Sequence, residues 1–354
     1  MSQLNLKQIV PAQSRKGYEV KISEENKYLH VSYKTCSRNV SFTLPTSIDL
    51  DENFFEGLGL AIGDGLNNPS TRNTHFNFAN TDMLLVNKMV EWLTKFNIQK
   101  IGAYLIVPLG TNKDVIDKIS HELDKRVGKV NVYFKDRTLK PRVMIQVSNS
   151  IFQMVYLSLF SQLKSTILHN VSFRRSFLSG LFAAEGHVKH SVSGTLECMS
   201  FSFNPKTERE LATFTSECLE REGIPSKIKI KEHYGAIYFT NYNNMLRFYL
   251  IGGISLSQGK TEKFVTLLRN AKIDVHLKNG FLEFLRTGQN KTAQKLGCSQ
   301  ANVSNMIKRS SISMQNAKKL NRLTEIRKLA DVDYITISTC SIKDRKLIGF
   351  LLNF

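Results

Sequence analysis

Apolar residues fall into two alternating rhythms along the first 270 positions, a helical one and a strand one, and the order of the two repeats. The first pass predicts a helix over 52–64, a strand near 74–79, a helix over 82–96, strands near 101–108, 130–134 and 142–147, and a closing helix over 150–164. The second predicts a helix over 172–185, strands near 187–192 and 196–203, a helix over 206–222, strands near 226–232 and 235–240, and helices over 241–250 and 260–270. The same order met twice points to an internal duplication at low identity. Four regions follow: a β-rich extension (1–50), two matching halves (51–165 and 166–270), and a tail (271–354).

In the extension, the stretches EVKI, YLHVSY and VSFTL alternate as strands do. Asp51 stands where it can cap the helix that follows, since its carboxylate can accept from unpaired backbone N–H groups. In the tail, short helices are expected over 281–286, 290–296, 300–308 and 313–330, with one late strand at 334–339.

Charge changes the picture more than composition does. The chain carries a formal net charge of +19, and its last 84 residues hold 15 basic against 6 acidic side chains. That excess calls for a polyanionic partner, nucleic acid first. No apolar run reaches the roughly 18 residues that would span a bilayer. The N-terminus lacks the basic-then-apolar layout of a signal peptide, so a cytoplasmic, nucleoid-associated protein is expected. The five cysteines are scattered without a CxxC pair, as in a reducing compartment.

Each half opens on one local pattern: GLGLAIGDG over Gly57–Gly65 and LSGLFAAEG over Leu178–Gly186. Small residues recur at i, i+4 (Gly59 with Gly63, Gly180 with Ala184), which lets two helix backbones approach closely. Gly costs about 1 kcal/mol against Ala inside a helix, so Gly57, Gly59 and Gly63 require a packing reason. Each helix then ends in a carboxylate, Asp64 or Glu185, followed by a glycine suited to a left-handed position. A carboxylate at a helix C-terminus is disfavoured by about 0.3–1 kcal/mol. Two such ends side by side are unfavourable unless a divalent cation binds between them, and oxygen ligands suit Mg²⁺. Paired carboxylates holding metal beside a phosphodiester are the equipment of metal-assisted hydrolysis.

With these two nonapeptides, 121 residues apart at their acids, the chain resembles the LAGLIDADG homing endonucleases in their single-chain, two-motif form. The second nonapeptide is the closer match, and the first departs at its first two positions. The resemblance covers about residues 52–270. It implies an α+β fold of two pseudo-symmetric halves, each with helices on an antiparallel saddle-shaped sheet. The two motif helices would form the central interface, and the sheets would lie in the DNA major groove. Asp64 and Glu185 would be the catalytic acids and metal ligands, helped by the backbone carbonyls of Gly63 and Ala184. Mg²⁺, with Mn²⁺ able to substitute, would serve hydrolysis of one phosphate per strand, leaving short 3′ overhangs. The resemblance further implies a monomer acting on a long double-stranded DNA site, as intron-homing enzymes do. Basic side chains from later strands complete such sites, and Lys140, Arg142, Lys229 and Lys231 fall in the right zone for that role or for phosphate contact. His187 and His190 sit i, i+3 on an expected strand and so point to opposite faces, a poor zinc pair.

Residues 289–308 resemble a Cro-type helix-turn-helix. Ala293 is small where two helices cross, Gly297 supplies the left-handed turn, Leu296 fills the angle, and Val303 and Met306 pack the second helix. The resemblance makes Gln300–Lys308 the recognition helix. Gln300, Ala301, Ser304 and Asn305 would face base edges, and Lys291, Lys308 and Arg309 would reach phosphates. Two other functions are compatible with this fold and charge: a non-cleaving DNA-binding transcriptional regulator and an RNA maturase.

Overall fold

The computed structural model describes residues 3–14, 16–65, 75–136, 138–322 and 332–354. The N-terminal segment holds β1 (Gln3–Asn5), a 3-10 turn, and the strands β2 (Lys21–Glu25), β3 (Tyr28–Lys34), β4 (Asn39–Pro45) and β5 (Ser47–Asp49). The first half follows as α1 (Glu52–Asp64), β6 (Phe76–Asn80), α2 (Met83–Thr94), β7 (Ile101–Val107), α3 (Lys113–Glu122), β8 (Val127–Phe134), β9 (Arg142–Val147) and α4 (Ser150–His169). The second runs α5 (Val171–Glu185), β10 (Gly186–His190), β11 (Leu196–Phe203), α6 (Arg209–Arg221), β12 (Lys227–Ile230), β13 (Gly235–Phe239), α7 (Tyr242–Leu250) and α8 (Gln258–Arg269). The tail holds β14 (Ile273–Leu277), α9 (Asn279–Thr287), α10 (Gln289–Leu296), α11 (Gln300–Arg309), β15 (Ser311–Ser313), α12 (Met314–Arg322), β16 (Val332–Ile337), β17 (Cys340–Ile342) and α13 (Arg345–Asn353). This is a mixed α+β fold of helices and antiparallel sheets in which β7 and β8 pair in parallel. Among the described residues no helix is long and apolar enough to cross a membrane.

The chain divides into two compact units. One comprises Met1–His187, Ser200–Tyr238 and Ile251–Lys260, and the other Val188–Met199, Phe239–Leu250 and Thr261–Phe354. In the first unit, α1 and α5 are packed side by side and buried along most of their length. Each starts on a side-chain cap: Asp51 accepts from Phe54 N at 2.6 Å, and Asn170 accepts from Phe173 N at 3.1 Å. The small residues explain the close crossing. A Cβ on Gly59 would lie 2.2 Å from the Phe177 carbonyl oxygen, and one on Gly180 would lie 1.9 Å from that of Glu56. Gly57 is explained differently, because a Cβ there would meet the indole of Trp92 at 2.1 Å. Trp92 is further fixed by its Nε1–H donating to Phe54 O at 3.0 Å.

Strands of the first half hydrogen-bond in the order β6-β9-β7-β8, and β11, β13 and β12 neighbour one another in that order. β6-β9-β7 thus corresponds to β11-β13-β12; the fourth strand of the second sheet is β10, beside β11, whereas that of the first is β8, at the opposite edge beside β7, and the stretch from α3 to β8 has no counterpart between β12 and β13. The sequence pattern shows β8 near 130–134 but gives no sign of α3, whose residues include none that is buried. The N-terminal sheet, ordered β2-β3-β4, is fastened to the first half through Tyr33 Oη and Ser150 Oγ at 2.6 Å and through Phe42 packing near Phe152.

In the second unit the tail is less purely helical than its sequence pattern implies. β15, β14, β16 and β17 form a four-stranded sheet, so strands at 273–277, 311–313 and 340–342 join the expected one at 334–339. Ile273, Val275 and Leu277 do alternate, but over five residues, and β15 and β17 have three each. Helix α13 lay outside the expected set. The helix expected over 313–330 is seen as Met314–Arg322, and 323–330 lies outside the described residues.

Candidate active site

Asp64 and Glu185 close α1 and α5 at equivalent positions, and the crossing that fixes Gly59 against α5 and Gly180 against α1 brings these ends together. A Cβ on Gly63 would lie 2.4 Å from Ala184 Cβ and 3.4 Å from Glu185 Cγ. The glycines after the acids do not adopt the left-handed conformation that a helix-ending Gly favours. Gly65 has φ −75° and Gly186 φ −78°, both extended. They are required for room: a Cβ would lie 2.0 Å from Ala61 O at Gly65 and 2.3 Å from Phe182 O at Gly186.

The two acids share an environment short of positive charge. Burial raises Asp64 to about 6, against the lowering effects of Asn80, whose Nδ2 donates to Oδ2, and of the Lys260 ammonium. Burial likewise raises Glu185 to about 7, and the negative charges of Asp64 and Glu208 push it further the same way. A carboxylate that holds its proton near neutrality is one whose charge the surroundings leave uncompensated.

Lys260, near the start of α8, is among the described residues the one cation that acts on both acids, and the sequence reading missed it. Its Nζ donates to three carbonyls at the end of α5, those of Phe182 at 2.8 Å, Ala183 at 2.7 Å and Ala184 at 3.3 Å. The last turn of a helix leaves such carbonyls without intrahelical partners, so an ammonium there is satisfied by geometry and by the helix dipole. Burial lowers Lys260 to about 8 even though Asp64, Glu185 and Asp82 favour its charge. At the matching place on α1 the donor is neutral: Tyr156 Oη donates to Ala61 O at 2.8 Å. The halves are therefore alike in backbone and unlike in charge.

Lys140, Arg142, Lys229 and Lys231 are exposed, and none of the four is among the groups that perturb Asp64 or Glu185. Arg142 begins β9, Lys229 lies on the fully exposed β12, and Lys231 sits at the turn to β13, where its N–H donates to Tyr234 O at 2.8 Å. His187 and His190 are both exposed on β10, and no cluster of three or more His, Cys, Asp or Glu side chains suited to a metal occurs among the described residues. The second-unit segment 289–309 forms two helices joined through Gly297, which has φ +66°. Ala293, Leu296 and Val303 are buried. Ile307 is the second buried residue of α11, whereas Met306 is half-buried, so the buried pair is spaced i, i+4 rather than i, i+3. Gln300, Ala301, Asn305, Lys308, Arg309 and Lys291 are exposed and Ser304 half-exposed.

Comparison with known proteins assigns one part of the chain to a domain family. No curated protein matches the chain. Among solved structures it is similar to full-length DUF199/WhiA from Thermatoga maritima, at 15% identity over 78% of this chain and 82% of that one with a TM-score of 0.39. It is similar to I-DmoI in complex with DNA and Ca, at 16% identity over 61% and 96% with a TM-score of 0.34. A third is I-WcaI bound to its DNA recognition sequence, at 13% identity over 62% and 87% with a TM-score of 0.37. Residues 172–257, which begin in α5 and run past α7, match the family described as LAGLIDADG-like domain, so the chain contains a LAGLIDADG-like domain.

Proposed function

We propose that the protein is a site-specific, metal-dependent DNA endonuclease with Asp64 and Glu185 as its catalytic acids. The observation that carries this reading is the pair of carboxylates at the ends of two packed, duplicated helices, raised to about 6 and about 7. Purely structural acids at helix C-termini would destabilise the fold with no return. Their hard oxygens fit Mg²⁺, with Mn²⁺ as a substitute, and the carbonyl of Gly63 is a further donor of the same kind. Such a cation supplies activation of water and neutralisation of phosphate charge. The chain's own groups do the rest. Asn80 fixes one oxygen of Asp64. Lys260 holds a positive charge beside both acids and the end of α5. The exposed face of α11, with Gln300 and Asn305, suits adenine edges, and Lys308 and Arg309 suit phosphates. The net charge of +19 supports a long duplex as substrate.

A second reading, DNA binding without cleavage as in a regulator, is favoured by one observation: Lys260 already gives the acids a partial counter-charge and bonds the Ala184 carbonyl. One experiment separates the two. The purified protein is incubated with a randomised duplex library in Mg²⁺, Mn²⁺, Ca²⁺ or EDTA, and new ends are sequenced. Cleavage in Mg²⁺ and Mn²⁺ that is lost in Asp64→Asn and Glu185→Gln, with binding retained in Ca²⁺, is the expected result. Site-selective binding with no cutting under any condition establishes the regulator, and cutting in EDTA overturns the assignment.

A further inference from the structure

The strand β8, which has no counterpart between β12 and β13 of the second half, carries a charged face. Residues two apart on a strand share a face, so Lys129, Asn131, Tyr133 and Lys135 stand together at the end of β8 and just beyond it. All four are exposed. Their face is fixed by a ring contact, Tyr133 lying 5.7 Å from Tyr104 on β7. Tyr104 Oη in turn donates to Gln146 Oε1 at 3.1 Å on β9, and Gln146 Nε2 donates to Asn77 Oδ1 at 2.8 Å on β6. One polar face thus runs across all four strands, and Arg142, opposite Ile106 in the register, lies on it too. The other face is apolar core: Phe76, Phe78, Ala103, Leu105, Val107, Val143 and Ile145 are buried.

A partner for this face follows from its charge. Lys129, Lys135 and Arg142 are cations, and Asn77, Gln146, Asn131 and Tyr104 or Tyr133 offer hydrogen bonds, with no carboxylate among these named positions. The apolar residues of this face, Ile106, Met144 and Ala79, are buried or half-buried, whereas a membrane surface would ask for exposed apolar side chains among the cations.

We infer that β8 widens the nucleic-acid-binding face of the first half by one strand, about 5 Å, with Lys129 and Lys135 as added phosphate contacts. This rests on the DNA-binding part of the proposed function and not on cleavage, so it is tested without catalysis.

The test measures binding of a fluorescent pool of random-sequence duplexes in Ca²⁺ over a range of salt, comparing wild type, Lys129→Gln/Lys135→Gln, and Lys113→Gln/Lys118→Gln. The last pair removes the same charge from α3 of the same stretch. Each released phosphate contact lowers the slope of log K against log salt by about 0.9. The β8 variant should therefore lose nearly 2 from that slope and about tenfold or more in affinity, while the α3 variant keeps both. Both pairs are exposed, so circular dichroism and melting should match wild type. Equal slopes for wild type and the β8 variant overturn the inference while leaving DNA binding intact. Equal losses in both variants also overturn it, since net charge alone then explains binding. Failure of the wild type to bind any duplex removes the proposed function as well.

Discussion

Replacing Gly180 by Ala tests whether the two motif helices are held at backbone contact. The added Cβ would lie 1.9 Å from Glu56 O and 2.8 Å from Leu60 N. Ordinary contact begins at 3.4 Å, so the α1 backbone must retreat by about 1.5 Å or the carbonyl must tilt. Neither atom belongs to a side chain that can swing away. Helix propensity alone favours the change by up to about 1 kcal/mol. Overpacking of a rigid core contact costs about 1–3 kcal/mol or more, and a backbone clash this deep belongs at the upper end. The expected net loss is about 2 kcal/mol. The single tryptophan provides the assay, because Trp92 packs on Gly57 of α1 and bonds Phe54 O. Its fluorescence in a urea titration should report a lower midpoint with an unchanged slope. Gly259→Ala is the control in the same unit: nothing lies within 4 Å of a Cβ there, and that variant should be as stable as wild type or slightly more so. Gly59→Ala should lose about as much as Gly180→Ala, and the double variant less than the sum, because one separation relieves both clashes. A Gly180→Ala midpoint equal to that of Gly259→Ala would refute the backbone-contact argument.

Three further outcomes are expected. Asp64 and Glu185 are raised in the folded protein, to about 6 and about 7, so the native state binds more protons than the unfolded chain between pH 4 and 7; metal-free stability should fall as pH rises through that window, and Mg²⁺ should raise the melting temperature more at pH 8 than at pH 5, an equal gain at both telling against a metal site there. Glu222 is buried against Arg174 and also bonds Arg175, so Glu222→Ala strands a buried guanidinium and should cost about 3–5 kcal/mol by urea titration, a loss under 1 kcal/mol counting against the buried pair. On α11, Gln300→Ala and Asn305→Ala should weaken binding to a selected site with the salt slope unchanged, whereas Lys308→Ala should lower the slope by about 1 for every sequence; the reverse pattern would exchange their roles.

The two motif helices were legible because local rules and duplication agree there. Helix α1 begins and ends where its cap and its apolar period place it, and α5 differs by one residue at its start. Gly297 was legible because a left-handed turn leaves few alternatives to glycine. Lys260 was not, because nothing in Gln258–Gly259–Lys260 distinguishes it from any lysine opening a surface helix; only packing delivers its ammonium to the α5 carbonyls. The roles of Gly65 and Gly186 were misjudged for a related reason: glycine after a helix has two causes, dihedral freedom and lack of a Cβ, and sequence does not separate them. The tail sheet escaped notice because three-residue strands hold too few alternations to register.

The exactness of the duplication at the interface and its failure beside it have separate physical causes. The reciprocal contacts Gly59 to Phe177 and Leu181, and Gly180 to Glu56 and Leu60, are backbone contacts at the same offset as the acids. They tolerate no side-chain volume on either helix, so both halves must keep them. The groups that cap the helix ends face a weaker demand, which a hydroxyl on Ala61 O or an ammonium on Phe182 O meets equally well as a hydrogen bond. Only electrostatics tells these donors apart. With Tyr156 beside one acid and Lys260 bonded to the helix that carries the other, the two carboxylates cannot be equivalent. A homodimer built on one motif would have to place the same donor at both ends. A single chain is free of that constraint, and here it has spent the freedom twice, at the helix ends and at the strand β8.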